Sequence, residues 1–133
     1  MIYVTGDLHG DEDRLFDKQW RKLKKGDTLI VCGDFGFLWD GSAREREALE
    51  YLGSRKYTVL FLDGTHENFD LLNKCRETVW HGGHVRRVCG NLLQLMRGQI
   101  FNIEGKKIFT FGGGESADRD IRIEQGKWWR AEM

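Results

Sequence analysis

The chain has 133 residues, enough for one domain with a real core, and its 40% hydrophobic and 32% charged content is ordinary for a soluble globular protein. Its 21 Lys and Arg balance 21 Asp and Glu, so no cationic excess marks nucleic acid as a partner, and the runs Arg21-Lys22-Leu23-Lys24-Lys25 and Arg86-Arg87 read as solvated faces. Three cysteines without metal-ligand spacing (Cys32, Cys75, Cys89) suggest a reducing, cytoplasmic setting, with Cys32 expected as a small buried residue. No leader pattern precedes the first strand, and no apolar run approaches the ~20 residues of a membrane span.

In chain order, the first expected strand covers residues 2–6. Leu15, Phe16, Trp20 and Leu23 then fall at helical spacing, which predicts a helix over 11–24, capped by Asp11 or Asp13. A strand over 28–32 follows, then an aromatic loop in which Asp40 reads as a turn residue before Gly41. Ser42, with Glu45 three residues on, predicts a capped helix over 43–55 with Leu49 and Leu52 facing the core. A strand over 57–62 and a short helix near 69–74 complete a β-α-β-α-β-α half, which favours a parallel sheet.

The second half changes character. Short apolar segments separated by glycines predict strands at 92–96, 99–103 and 107–111, the last two joined by a hairpin at Glu104-Gly105-Lys106. They read as a β-meander forming a second sheet packed on the first. His81 and His84 flank Gly82-Gly83 and read as surface turn histidines. Trp128-Trp129 near the end needs a packing partner.

Three strands each end in a glycine-bounded turn that carries a carboxylate or an imidazole: Asp7-Leu8-His9-Gly10, Gly33-Asp34-Phe35-Gly36 and Gly64-Thr65-His66-Glu67-Asn68. In an open parallel sheet, ligands bind outside the carboxyl ends of the strands. Asp7 and His9, two residues apart, can reach one ion, and Asp34 on the neighbouring strand can reach it too. Mixed carboxylate and imidazole ligands suit Mn, Fe or Zn. Taken singly, Asp7 or Asp34 also fits a turn or a cap.

These motifs, in this order and spacing, resemble those of the calcineurin-like metallophosphoesterases. Asp7-Leu8-His9-Gly10 matches D-x-H-G, Gly33-Asp34 matches the second motif, and Gly64-Thr65-His66-Glu67 matches G-N-H-[ED] except at Thr65. The resemblance implies an αββα sandwich, here incomplete, in one domain over residues 1–133. It implies that Asp7, His9 and Asp34 bind a divalent metal, with Asp34 as the bridge to a second ion, and that catalytic His66 serves the leaving group or the phosphate. Thr65 stands where the family has an Asn ligand to the second metal, and no histidine follows His84, so the chain is expected to be a truncated member.

Two functions stay open. One is a metal-binding phosphoesterase domain with weak or absent hydrolysis of a phosphoester. The other is a non-catalytic binding or inhibitor protein on the same frame. A homodimer, or a complex with a protein partner, is expected through residues after Val79, with apolar surface near Phe109, Phe111, Trp128 and Trp129.

Overall fold

Residues 28–32 and 58–62 are near-continuous apolar runs, the pattern of strands covered on both faces. In the computed structural model, which describes residues 1–133, they lie inside a sheet. The strands are β1 (Ile2–Thr5), β2 (Thr28–Cys32), β3 (Thr58–Leu62), β4 (Arg76–Trp80), β5 (Gly83–Cys89), β6 (Leu92–Leu95), β7 (Gln99–Ile103) and β8 (Lys106–Thr110). Six of them form one mixed sheet in the order β1-β2-β3-β6-β5-β4, and β7-β8 forms a separate antiparallel hairpin. β1, β2, β3 and β6 run parallel, β5 returns antiparallel beside β6, and β4 pairs antiparallel with β5 and so runs with the first four.

Strand alternation divides the core in two. Leu29, Val31, Val59, Phe61 and Leu92 point to one face and pack with Leu52 of α1 (Ala43–Gly53) and Leu72 of α2 (Phe69–Leu72). Ile30, Leu60, Leu93 and Leu95 point to the other face and pack under Phe101 and Ile103 of β7. Phe101 is fully buried, and burial of such a ring contributes roughly 1.5–3 kcal/mol. It fits because residue 83 is a glycine: a Cβ there would lie 2.6 Å from the ring.

The capped helix forms as expected. Ser42 Oγ accepts from Glu45 N–H at 3.2 Å, but Glu45 does not complete the reciprocal box. Its carboxylate instead accepts from the N–H groups of Trp39, Asp40 and Gly41, and Asp40 accepts from Ser42 N–H.

Several expectations are corrected. Residues 11–24 hold two short 3-10 turns, Glu12–Phe16 and Trp20–Lys22, in place of one helix. Asp11 and Asp17 each accept from the amide two residues on, at 3.0 and 2.8 Å, and these local bonds compete with helix. The meander is not a second sheet: β6 joins the first sheet beside β3, and β7-β8 alone makes the second layer. The hairpin β4-β5, unforeseen in the sequence, extends the main sheet. Cys32 is exposed at the end of β2 rather than buried. Trp128 and Trp129 are partly buried, while Phe109 and Phe111 are 66% and 69% exposed.

The whole is a mixed α/β architecture, a six-stranded sheet with few helices, consistent with a partial calcineurin-like fold. No helix is long and apolar enough to cross a membrane.

Candidate metal centre

The loops after β1, β2 and β3 are locked together before any side chain is considered. His9 N–H donates to Asp34 C=O at 2.8 Å, and Gly10 N–H donates to Phe35 C=O at 3.0 Å. Side chains would not fit between these loops. A Cβ on Gly36 would lie 2.7 Å from Gly10 N, and one on Gly64 would overlap the Asp34 carboxylate. His66 N–H donates to Asp34 Oδ1 at 3.0 Å and so fixes that carboxylate.

Glu67 joins the second and third loops from below. It is fully buried and accepts from Phe35 N–H at 2.7 Å, Gly36 N–H at 3.2 Å and Gly64 N–H at 3.4 Å. Burial pushes its carboxyl up to about 8, against the pull of these three donors and with help from the Asp34 charge.

The result is a convergence of imidazoles and carboxylates at the strand ends. Ligand atoms of His9, Asp34 and His66 all lie within 4.8 Å of one another. His9 Nε2 is 3.6 Å from Asp34 Oδ2 and 3.5 Å from Asp7 Oδ1, and His66 Nδ1 is 3.5 Å from Asp34 Oδ2. These separations lie at or beyond the outer limit of a hydrogen bond. They do match the spacing of donors around a tetrahedral ion, about 3.4 Å for bonds of about 2.1 Å. The donor set, hard oxygen with borderline nitrogen, fits a divalent Mn, Fe or Zn ion.

Asp7 sits at the rim with its side chain 81% exposed, next to His9 but outside the three-residue group. His66, expected as a catalytic residue, stands inside that group. Asp7, His9 and Asp34 all adopt positive φ, between 48° and 54°. For residues with a Cβ this left-handed conformation costs roughly 1–2 kcal/mol each, and such strain concentrates at functional sites. Desolvation raises the Asp34 carboxyl, but the His66 N–H and the charges of His66 and His9 outweigh it and hold the group below its ordinary value.

A cavity of about 250 Å³ opens onto the group, lined by His9, Gly10, Gly36, Trp39, Glu45 and His66. A larger one of about 370 Å³, with Trp20, Tyr51 and Arg55 in its wall, contains no carboxylate or imidazole.

The site has a further wall that the sequence did not reveal. Residues 112–133 fold back over the strand ends, organised by buried Arg122 of α3 (Arg119–Glu124) and buried Glu132. Arg122 donates to Glu132 Oε2 at 2.9 Å, to Ser116 Oγ at 2.8 Å and to Thr65 C=O at 3.0 Å. Trp129 Nε1 donates to Asp70 at 2.9 Å and its ring meets Trp39 edge-on. This segment brings Asp118 to 3.4 Å from His66 Nε2. Thr65 turns its hydroxyl to His66 Nδ1 at 3.0 Å. His81 and His84 are remote from the group in their contacts: His81 Nδ1 meets Asn102 C=O, and His84 meets Glu77.

No curated protein and no solved structure matches the chain. The calcineurin-like phosphoesterase family model matches residues 1–132, almost the whole length, and with the three strand-end motifs meeting at one point as that family requires, the chain belongs to the calcineurin-like phosphoesterases.

Proposed function

We propose that Asp7, His9 and Asp34 hold one divalent ion, with His66 beside it, and that the chain hydrolyses phosphomonoesters or phosphodiesters slowly. The observation that carries this reading is the set of 3.5–3.6 Å gaps between imidazole nitrogens and carboxylate oxygens, longer than good hydrogen bonds and close to the donor spacing around a tetrahedral ion. When bound, such an ion supplies Lewis-acid chemistry to a phosphoryl oxygen. His66 faces the same cavity, where it can steady a phosphate oxygen or hand a proton to a leaving oxygen. Trp39 supplies an apolar wall, and Gly10 and Gly36 line the same cavity.

Slow turnover follows from the second cation position. In the family an Asn amide serves it; here Thr65 takes that place, and its shorter hydroxyl is engaged with His66. No histidine follows His84 among these 133 residues. The three free thiols support a reducing, cytoplasmic setting.

Metal analysis of the purified chain, with Mn-dependent hydrolysis of an aryl phosphodiester, tests the proposal. The expected result is a single equivalent of cation and slow hydrolysis that Asp34→Ala abolishes and Thr65→Asn does not accelerate. Fast turnover would overturn the slow-enzyme reading, and a wild-type chain that binds no Mn or Zn would overturn the metal centre. The alternative, a non-catalytic binding or inhibitor protein, draws support from exposed Ile100, Phe109 and Phe111, and predicts cation binding with no turnover at all.

A further inference from the structure

We infer that the larger cavity, at the opposite end of the parallel strands, binds a small aromatic phosphate of the nucleoside monophosphate class, independently of the metal centre. Its volume of about 370 Å³ falls within the roughly 300–1,000 Å³ of small-molecule sites. Tyr57 stands just before β3, Tyr51 and Ser54 lie at the end of α1, and Trp20 belongs to the 3-10 turn ahead of β2. The metal centre uses the other ends of these strands, and the two sites share no residue.

The walls are fixed aromatic rings with unspent polar tips. Trp20 and Tyr57 are buried and belong to the larger core cluster. Buried Trp and Tyr ordinarily spend the ring N–H and the hydroxyl on hydrogen bonds. Here Trp20 Nε1 and Tyr57 Oη take none within the chain, yet the only enclosed side-chain atom without a partner is Arg119 Nε. Both polar tips therefore reach solvent, and both residues line this cavity.

The rim is cationic. No Asp or Glu lines the cavity, so Arg21, Arg55 and Lys56 have no counter-ion there. Arg55 is held in place: Nε donates to Tyr51 C=O at 3.0 Å, Nη2 donates to Ser54 Oγ at 3.2 Å, and the guanidinium lies 3.9 Å over the Tyr51 ring. A guanidinium anchored this way has little freedom left to lose on binding, and Nη1 remains for an anion. The C-terminus of a helix ordinarily repels an anion. At the end of α1 the last carbonyls are already taken: Glu50 C=O by Ser54 N–H at 3.0 Å, Tyr51 C=O by Ser54 Oγ at 2.8 Å, Leu52 C=O by Arg55 N–H at 3.3 Å and Gly53 C=O by Asn91 N–H at 2.8 Å. That leaves the three cations to set the charge of the cavity. Aromatic walls take a flat ring and cations take a phosphate, and a nucleoside monophosphate carries both.

The test is titration of the metal-free protein with AMP, adenosine and inorganic phosphate. Calorimetry gives the affinity, and the Trp20 indole N–H in ¹H–¹⁵N spectra, assigned with Trp20→Phe, gives the place. AMP is expected to bind with a Kd below about 1 mM and to move the Trp20 signal, with adenosine and phosphate each at least about 10-fold weaker. Arg21→Ala combined with Lys56→Ala should weaken AMP about 10-fold, the loss of a charge-assisted contact, and leave Zn²⁺ affinity unchanged. AMP that does not bind, AMP that moves signals of His9 and His66 but not Trp20, or adenosine or phosphate that binds as tightly as AMP overturns the inference. So does a folded double variant with unchanged AMP affinity. If the double variant does not fold, the three wild-type titrations still decide. Failure of the chain to bind Zn²⁺ would overturn the metal centre and leave this inference standing.

Discussion

In the cluster around Arg122, the guanidinium contacts are hydrogen bonds of 2.8–3.2 Å to Ser116, Glu132, Thr65 and Lys127, and Glu132 takes further bonds from Ser116 and Trp128. Across Thr65 and His66 from it, His9 Nε2 stands 3.5–3.6 Å from the carboxylates of Asp7 and Asp34. The first cluster is buried and saturated. The second is partly open, with hydrogen-bonding capacity left over and a strained backbone beneath it. Both are polar and both are held by loops, so polarity alone does not mark a site. Unspent capacity at a fixed spacing does. The saturated cluster touches the open one through the Arg122 bond to Thr65 C=O.

The comparison breaks first at Arg122. Arg122→Ala leaves Glu132 buried without its cation, and loss of one member of a buried pair costs about 3–5 kcal/mol. Thermal melts should show a midpoint lower by roughly 10–20 °C. Arg122→Met combined with Glu132→Leu removes both charges and should cost much less. Asp7→Ala, at the exposed rim, should leave the melt within about 0.5 kcal/mol of wild type, as surface substitutions do. Equal losses in Arg122→Ala and Asp7→Ala would dissolve the distinction between the clusters.

Glu67 sharpens it, because it is a saturated carboxylate placed under the open site. Glu67→Ala orphans three amides. Water can reach those of Gly36 and Gly64, but Phe35 is fully buried. The expected loss is roughly 2–3 kcal/mol, less than for Arg122→Ala. Hydrogen exchange at the Phe35 amide should speed up more than at the amides within β2, and cation affinity should fall as the second and third loops separate. Unchanged protection at Phe35 would mean that Glu67 does not tie these loops.

Much of the open cluster was legible in the sequence because its logic is local. An apolar run predicts a strand, a glycine ends it, and the residue after the glycine is delivered to the strand's end: Gly33-Asp34 and Gly64-Thr65-His66 are both read this way. Ser42 as a cap and the turn at Glu104-Gly105 are local in the same sense. The saturated cluster had no such signal. Asp118 reaches His66 across 52 residues, and only the docking of Arg122 and Glu132 puts it there. Strands β4 and β5 escaped notice because their exposed positions carry Arg76, Glu77, His84 and Arg87, so their apolar residues never form a run. Residues 11–24 show the opposite error. Their helical spacing is real, and Leu15, Trp20 and Leu23 are buried, but Asp11 and Asp17 bond the backbone locally and split the segment.

The smallest effect concerns the far side of the hairpin, which belongs to neither cluster. Ile100 and Phe109 are cross-strand neighbours on its outer face, and with Phe111 they are 58%, 66% and 69% exposed. The β7 edge is partly occupied, since Asn102 N–H donates to His81 C=O at 2.9 Å. That leaves β8, which carries Lys106 and Lys107, and edge lysines oppose strand pairing with another chain. Contact with a second copy is therefore expected through the apolar face rather than by continuing the ladder. Burial of each large side chain can contribute roughly 1.5–3 kcal/mol, and association itself costs at least about 4 kcal/mol, so the dimer should be weak. Trp128 and Trp129 add little, because their ring N–H groups already bond Glu132 and Asp70 within the chain. Light scattering over a concentration series should show the mass rising slowly above that of one chain. Added salt should strengthen the effect by screening the lysines. Phe109→Ser combined with Phe111→Ser should abolish it without moving cation affinity. A mass that stays monomeric at every concentration and salt level would show that these exposed rings are tolerated by solvent and recruit nothing.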